Sequence, residues 1–210
     1  MSPHAAVFGK LPSHGDFVAR GMEPAAREAW DSWISEGLAR ARERLGDGFE
    51  AAHDAAAPWR FVDGPGPLGE NWRAGALAAS IDRAQRRFVI VAMADGLEAD
   101  DAAARGGELA ERMEQAIYDA FAGGWDVDRL ASESEDITSS AHPRESGDPG
   151  VFSPADSSPA PEEKTWIPAF AGMSGVKMGG AWWSDDGEIE GPAPDIWSRM
   201  FPPASAEAAA

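Results

Sequence analysis

The segment FGKLPSHGDF, at residues 8–17, contains side chains that could carry out chemistry. His14 and Asp16 could form an acid–base pair or ligate a metal ion. Gly9 and Lys10 could belong to a phosphate-binding loop. A hydrolytic centre and a nucleotide pocket are therefore the two enzymatic interpretations to weigh first.

The nucleotide interpretation fails on spacing. A Walker loop has the pattern GxxxxGK[ST], because successive backbone amides wrap the phosphates and a hydroxyl group reaches magnesium. Here Leu11 follows Lys10, and no glycine precedes Gly9 at the required position. No phosphate loop is predicted.

A structural interpretation of the segment is favoured over the hydrolytic one. The other histidines share no ligand spacing with His14, and the chain has no HExxH or GxSxG motif. We expect Gly9, Pro12 and Gly15 to shape a sharp turn after a strand, with Asp16 accepting backbone amides inside it. A positive φ at Gly15 would make that position intolerant of a β-branched residue. A small hydrolase that uses His14 and Asp16 remains the alternative.

Composition narrows the possible functions further. The chain has 210 residues, a formal charge of −18 and no cysteine, which disfavours nucleic-acid binding and excludes disulfides and thiolate metal sites. The first ten residues have neither a basic leader nor a long apolar run. The longest strongly apolar run, at residues 88–94, is far too short to span a bilayer. We expect a soluble cytoplasmic protein without membrane insertion and without cofactors.

The periodicity of apolar residues predicts alternating strands and helices. AAVF at residues 5–8, PWRFV at 58–62 and RRFVIVAMA at 86–94 are expected to be strands, and the last is apolar enough to be covered on both faces. MEPAAREAWDSWISEGLARARERLG is expected to be an amphipathic helix that stops at Gly46, and GELAERMEQAIYDAFAGG a second one. AWWSDDGEIEG is expected to be a hairpin that turns at Asp186–Gly187.

Three residues outside the first segment are candidates for partner binding. Asp82 and Arg83 could form an exposed patch, although an internal ion pair is the favoured interpretation. Trp182 and Trp183 are adjacent, so in a strand one points inward and the other outward. The outward residue, taken here as Trp183, could contact a partner or lie under a loop.

The composition changes at about Ser132, where the chain becomes rich in Ser, Pro, Gly and Glu and predicts a loop or disordered insert. Residues 140–150, paired in reverse order with residues 165–175, all have codons that can be reverse complements; His142 and Met173 are one such pair. We infer that residues 140–175 are a translated inverted repeat, tolerated in a loop because added length costs little entropy. The predicted segments are 1–131 for the main part, 132–178 for the insert, 179–201 for the hairpin and end of the domain, and 202–210 for a flexible tail.

Several motifs together resemble the TagF family, accessory proteins of the bacterial type VI secretion system. These are VFGKLPSHGDFVARG, AWDSWISEGLARARERLG, APWRFVDGPGPLG, WRAGALAASIDRAQRRF and AWWSDDGE, which occur here in the family's order. The resemblance is dense over residues 7–95, looser through residue 122 and the following GGWDVDRL, and resumes at residues 180–188.

This resemblance implies a single-domain α/β sandwich, with an antiparallel central sheet and helices on both faces. It also implies a cytoplasmic, non-enzymatic repressor that acts after translation by binding the forkhead-associated scaffold protein of the apparatus. Lys10 and Arg83 are then possible contacts, beside the turn formed by Gly9, Pro12, Gly15 and Asp16. Two departures stand out: Val89 occupies a position where the family commonly has proline, and the insert precedes the terminal hairpin. If the hairpin could not dock, this copy would be an inactive relic.

Overall fold

The structure of the protein is a computed structural model, and it describes residues 2–140, 180–185, 187–191 and 196–202. The described strands are β1 (His4–Gly9), β2 (Val18–Arg20), β3 (Trp59–Asp63), β4 (Trp72–Ile81), β5 (Arg87–Leu97), β6 (Gly180–Ser184) and β7 (Gly187–Gly191). The described helices are α1 (Pro24–Leu45), α2 (Phe49–Asp54), α3 (Ala99–Gly123), α4 (Val127–Ser140) and α5 (Ile196–Met200), and a 3-10 turn links α1 to α2.

The strands form one seven-stranded sheet in the order β2-β1-β5-β4-β3-β6-β7. Each neighbouring pair is antiparallel. The apolar strand β5 lies between β1 and β4, and its residues from Phe88 to Ala94 are all buried. A strand covered on both faces has no solvent side, and that explains the continuous apolar run. The predicted antiparallel central sheet is confirmed.

Helices cover both faces of the sheet. On one face, Trp30 and Ile34 of α1 pack with residues of α2, α5 and the sheet in one apolar cluster. On the other face, Leu109 and Met113 of α3 form a second cluster with Leu130 of α4. The predicted layered sandwich with helices on both faces is therefore confirmed. Among the described residues, no helix combines the length and apolar character that crossing a bilayer requires.

Most of the predicted elements occur, with shifted boundaries. Helix α1 ends at Leu45 and Gly46 caps it, as expected, with a φ of 52°. Helix α3 begins at Ala99, eight residues before the start of the predicted helix at Gly107. Strand β4 was not predicted. Alanine favours helices, and RAGALAAS is rich in it.

The small residues of β4 are explained by close packing. A side chain at Gly75 would place its Cβ 2.3 Å from the carbonyl oxygen of Ala92 and 2.5 Å from the Cβ of Met93 on β5. Ala74, Ala76 and Ala78 of β4 are also buried in the cluster that α3 forms. Strand β4 is thus determined by its tertiary contacts rather than by its local propensity.

The predicted start of the insert at Ser132 is wrong for residues 132–140. Helix α4 continues to Ser140, with Ser134, Ile137 and Thr138 buried. Ser134 and Thr138 donate their hydroxyl hydrogens to the carbonyls four residues earlier, so that polar side chains are accommodated inside the helix. Apart from Ser140, the inferred inverted repeat at 140–175 lies outside the described residues, as does the predicted tail beyond Pro202.

The hairpin after the insert docks onto the sheet. Strand β6 pairs with β3, placing Trp182 opposite Phe61. The Trp182 side chain is fully buried and stacks on Phe61 with ring centroids 4.5 Å apart. The turn was predicted at Asp186–Gly187. Gly187 instead pairs with Ser184 as the first residue of β7. The structural condition set above for an inactive relic, a hairpin that cannot dock, is not met.

Candidate functional site

The FGKLPSHGDF segment leaves the end of β1 and is fastened to the central strands. The Lys10 amide donates a hydrogen bond to the Val89 carbonyl at 3.0 Å. The Ser80 hydroxyl on β4 donates to the Lys10 carbonyl at 2.7 Å. These bonds fix the direction in which the loop at residues 10–17 leaves the sheet.

An ion cluster lies beneath this loop, with Lys10 and Asp82 buried and Arg86 partly exposed. The Lys10 ammonium group contacts Asp82 Oδ2 at 3.0 Å, and neither side chain is more than 7% exposed. Arg86 Nε contacts the same oxygen at 2.6 Å. Asp82 Oδ1 accepts the Ala84 and Arg86 amides, each at 2.9 Å. The carboxylate is therefore fully hydrogen-bonded, as a buried charge requires.

This environment favours the ionised form of Asp82. Burial alone would raise the pKa of Asp82, but the Arg86 amide, the Lys10 ammonium group and the Arg86 guanidinium hold that pKa well below its usual range. An ionised carboxylate satisfied on both oxygens is poorly suited to proton transfer. Its chemistry is to hold two segments of the chain together.

The turn at residues 82–86 also binds the backbone of the loop directly. The Arg83 amide donates to the His14 carbonyl at 2.7 Å, and the Arg83 guanidinium donates to the Ser13 carbonyl. The Arg86 guanidinium donates to the Gly15 carbonyl at 2.7 Å. Asp82 and Arg83 were predicted to form an internal ion pair. This is correct for Asp82 and wrong for Arg83, because the partners of Asp82 are Lys10 and Arg86.

The glycine that needs its special conformation is Gly9 rather than Gly15. Gly9 has a φ of 134°, whereas Gly15 lies outside the left-handed region. A Cβ at Gly9 would lie 2.1 Å from the Val89 carbonyl oxygen, but a Cβ at Gly15 would meet nothing within 4 Å. Pro12, Gly15 and Asp16 are exposed, so the tight position in the turn is at its beginning.

Asp16 plays a smaller part in the turn than predicted. Its Oδ1 accepts the Phe17 amide at 2.9 Å, which is a contact between neighbouring residues. The carboxylate that organises backbone amides across the site is that of Asp82. The sequence pattern pointed to Asp16 in the glycine-rich segment, whereas Asp82, which lies 72 residues after Lys10, has the organising role.

The structure brings His14 close to a hydroxyl group rather than to Asp16. Ser13 Oγ lies 2.9 Å from His14 Nδ1. The same hydroxyl donates its hydrogen to the Trp125 carbonyl at 2.6 Å, so that hydrogen is already engaged. In the described part of the chain, no three His, Asp or Glu side chains gather as a metal ion would require.

Phe17 is a surface residue that no sequence motif marks as functional. Its side chain is 47% exposed, while its ring lies edge-on to Phe88 at 4.8 Å and parallel to Phe8 at 6.0 Å. The Lys10 ammonium group lies 5.1 Å from its ring centroid. The buried cluster therefore holds one side of an aromatic ring whose other side faces solvent.

Trp183 lies on the face of β6 opposite to Trp182. It is half-buried and packs against the cluster that includes α3. Its main-chain partner across the sheet is Arg60, whose guanidinium contacts Glu114 of α3 at 2.6 Å. Trp183 is thus far along the sheet from the loop at residues 10–17 and does not join the site there.

A second buried charged pair lies at the other end of the sheet. Asp63 Oδ2 and Arg73 Nε are 3.9 Å apart, and both side chains are 2% exposed. The Arg73 guanidinium donates to the carbonyls of Gly64, Gly69 and Asn71 and so holds the loop after β3. Burial raises the pKa of Asp63 to about 6, against the lowering effect of the Arg73 charge.

This raised pKa predicts a pH-dependent effect of Asp63→Asn. A carboxyl group whose pKa is higher in the folded than in the unfolded state stabilises the fold at pH values below its unfolded-state pKa. That stabilisation is lost as the pH rises through its folded-state pKa of about 6. Asparagine lacks this loss. From pH 5 to pH 8, the free energy of unfolding of Asp63→Asn should improve relative to wild type by about 1 kcal/mol. Urea unfolding at the two pH values measures this difference, and one that is independent of pH would contradict the prediction.

Comparison with known proteins gives two positive results. Residues 6–137 match the family model of the TagF N-terminal domain, described as type VI secretion system-associated. The fold is similar to the crystal structure of PA0076 from Pseudomonas aeruginosa PAO1, solved at 2.05 Å, with a TM-score of 0.66 and 22% sequence identity. That similarity covers 94% of this chain and 93% of the other chain.

No significant match was found among curated proteins. The family match includes the loop at residues 10–17, the turn at residues 82–86 and helices α1 to α3. It also covers well over half of the chain. The protein therefore belongs to the TagF N-terminal domain family, which is associated with type VI secretion.

Proposed function

We propose that the protein is a cytoplasmic, non-enzymatic regulator that represses type VI secretion after translation. It does so by binding the forkhead-associated scaffold protein and withholding it from assembly. Family membership supports the association with this secretion system. The observation that supports a binding role, rather than catalysis, is that the charged side chains at this site are occupied in ion pairs with one another. Lys10, Asp82 and Arg86 satisfy one another and hold the loop that presents Phe17.

The proposal is tested by binding and by secretion together. The purified full chain should retain the purified scaffold protein in a pull-down. Its overproduction in the source bacterium should lower secreted type VI substrate while the cellular level of that substrate stays constant. Overproduction without an effect on secretion, or the absence of scaffold binding, would contradict the proposal.

The insert requires its own comparison, because a docked hairpin does not by itself give an active protein. A variant in which a short Gly-Ser linker replaces residues 141–179 keeps all of α4 and β6. Equal scaffold binding by this variant and the full chain indicates a working repressor with a passive insert. Binding by the variant alone indicates an insertion that has inactivated the protein.

One contact favours the alternative of a small hydrolase, namely the 2.9 Å approach of Ser13 Oγ to His14 Nδ1. A histidine beside a hydroxyl can activate it as a nucleophile. We nevertheless expect His14→Ala to leave repression within about twofold of wild type, because the hydroxyl already donates to the Trp125 carbonyl. Secretion measured in cells that express each form tests this. Complete loss of repression in a stable, scaffold-binding His14→Ala protein would favour the hydrolase.

A further inference from the structure

The surface around Phe17 has the features of a prepared binding site. Among the described residues, only Phe17 and Tyr118 are large apolar side chains with substantial exposure, at 47% and 40%. Phe17 is the better held of the two, since it contacts two phenylalanine rings and a buried ammonium group. A rigid exposed aromatic ring loses little entropy on binding, and such residues dominate interface energies.

A cleft of about 810 Å³ lies beside this ring, between β2 and the first turns of α1. Its apolar lining comprises Phe8, Phe17, Val18, Ala19, Pro24 and Ala25. Pro24 and Ala25 are the small side chains that α1 contributes to the cleft wall, and Ala25 is exposed. The cleft is therefore wide enough to take an apolar side chain from another molecule and place it against the Phe17 ring.

Charge determines what kind of molecule fits. The charged groups that line the cleft are Arg27, Glu28 and Asp31. Within the described part of the chain Glu28 forms no ion pair, and the Asp31 carboxylate accepts a long 3.4 Å hydrogen bond from Ser35. Two carboxylates outweigh one guanidinium and the partial positive charge, about half a unit, of a helix N-terminus.

The rest of the protein reinforces this negative potential. The formal charge is −18, and several of the described arginines form ion pairs with acidic residues of the same chain: Arg20 with Asp128, Arg60 with Glu114 and Arg87 with Asp54. Unpaired carboxylates thus dominate the long-range field, which attracts cationic partners and repels anionic ones.

We propose that this cleft is the docking site for a protein segment in which an apolar side chain is flanked by Lys or Arg. The apolar side chain enters between Phe17 and Ala25, and the cations meet Glu28 and Asp31. That the scaffold protein contains this segment rests on the proposed function. The chemistry of the segment does not.

The test uses the full chain and a fluorescent peptide of about ten alternating Lys and Leu residues, with a Glu/Leu peptide as the anionic counterpart. Fluorescence anisotropy at two salt concentrations gives the dissociation constants. We expect the Lys/Leu peptide to bind and the Glu/Leu peptide to bind at least tenfold more weakly. Preference for the Glu/Leu peptide would overturn the proposal and favour an acidic partner.

Variants localise the binding. Phe17→Ser and Ala25→Arg should each weaken binding of the Lys/Leu peptide about tenfold. Glu28→Lys should weaken this binding several-fold, and Arg27→Glu should strengthen it. Ala25→Arg changes an exposed helix position and keeps the test valid should Phe17→Ser fold poorly. Equal binding by wild type and Ala25→Arg would overturn the proposal.

Matched controls lie on helix α3, which packs on the opposite face of the sheet. Ala103→Arg and Tyr118→Ser repeat the same changes at exposed positions, and both should leave the dissociation constant within twofold. An equal effect of the α3 variants would mean non-specific attraction and would also overturn the proposal.

The same variants separate this inference from the proposed function. When wild type binds the scaffold, Phe17→Ser and Ala25→Arg should release it and the α3 variants should not. If neither cleft variant releases the scaffold, the cleft is not the docking site, and the proposed repressor role is unaffected. If the wild-type protein binds the peptide through the cleft but does not bind the scaffold, the cleft is supported as a binding site and the scaffold is refuted as its partner.

Discussion

Asp82→Asn should lower the melting temperature by about 10 °C, because one charge would be removed from a buried, hydrogen-bonded cluster. Asparagine can still accept the Ala84 and Arg86 amides through its oxygen. Its amide nitrogen would then face the buried Lys10 ammonium group, which contacts Asp82 at 3.0 Å in the wild type. Leaving that cation without a carboxylate is the main source of the loss. Thermal unfolding followed by circular dichroism measures it.

The control is Glu36→Gln, which removes a carboxylate from the exposed pair with Arg40. Exposed pairs contribute little, so its melting temperature should change by less than about 2 °C. Lys10→Met supplies a double-mutant cycle: the losses caused by Lys10→Met and Asp82→Asn should be strongly non-additive, because the second change no longer strands a partner. Additive losses would show that the two side chains do not depend on each other.

Gly9→Ala should lower the free energy of unfolding by about 4 kcal/mol through backbone strain and overpacking. The φ of Gly9 is 134°, a region that side chains with a Cβ rarely occupy. The new methyl group would also lie 2.1 Å from the Val89 carbonyl oxygen, so β1 and β5 would have to separate where the loop begins. Urea unfolding gives the difference from wild type.

Gly15→Ala is the matched change six residues along the same loop. No atom lies within 4 Å of the added Cβ, and φ needs no glycine there, so the free energy of unfolding should change by less than about 0.5 kcal/mol. A larger loss in Gly15→Ala than in Gly9→Ala would contradict the described geometry. It would restore the sequence-based expectation that Gly15 is the constrained residue.

The parts of the fold that were predictable are those with a strong local pattern. The continuous apolar run of β5 and the helical spacing of α1 identify those elements directly. The alternation of Trp182 and Trp183 correctly predicts one buried and one less buried ring. Strand β4 was missed because its alanines suit a helix and only its contacts with β5 and α3 determine its conformation.

The site was less predictable, because it depends on strand register. Lys10 and Asp82 are 72 residues apart in sequence, and they meet because β1 and β4 both pair with β5. The prediction of an internal ion pair at Asp82 was correct, but only the register determines that the partners are Lys10 and Arg86 rather than Arg83. The apolar run AAVF places Phe8 in a strand, whereas no local pattern indicates that Phe17 packs against Phe8 and Phe88 while staying half-exposed.

The docking of the last segments has a consequence for how the chain folds during synthesis. Trp197 fits against Gly37 so closely that a Cβ on Gly37 would lie 2.1 Å from its ring, and Phe201 stacks on the buried His53. Trp182 likewise completes the contacts of Trp30. These aromatic contacts cannot form until residues 180–202 have left the ribosome. We expect nascent chains that have been synthesised only as far as residue 140 to expose unpacked tryptophans. Such chains should depend on chaperones until residues 180–202 have been translated.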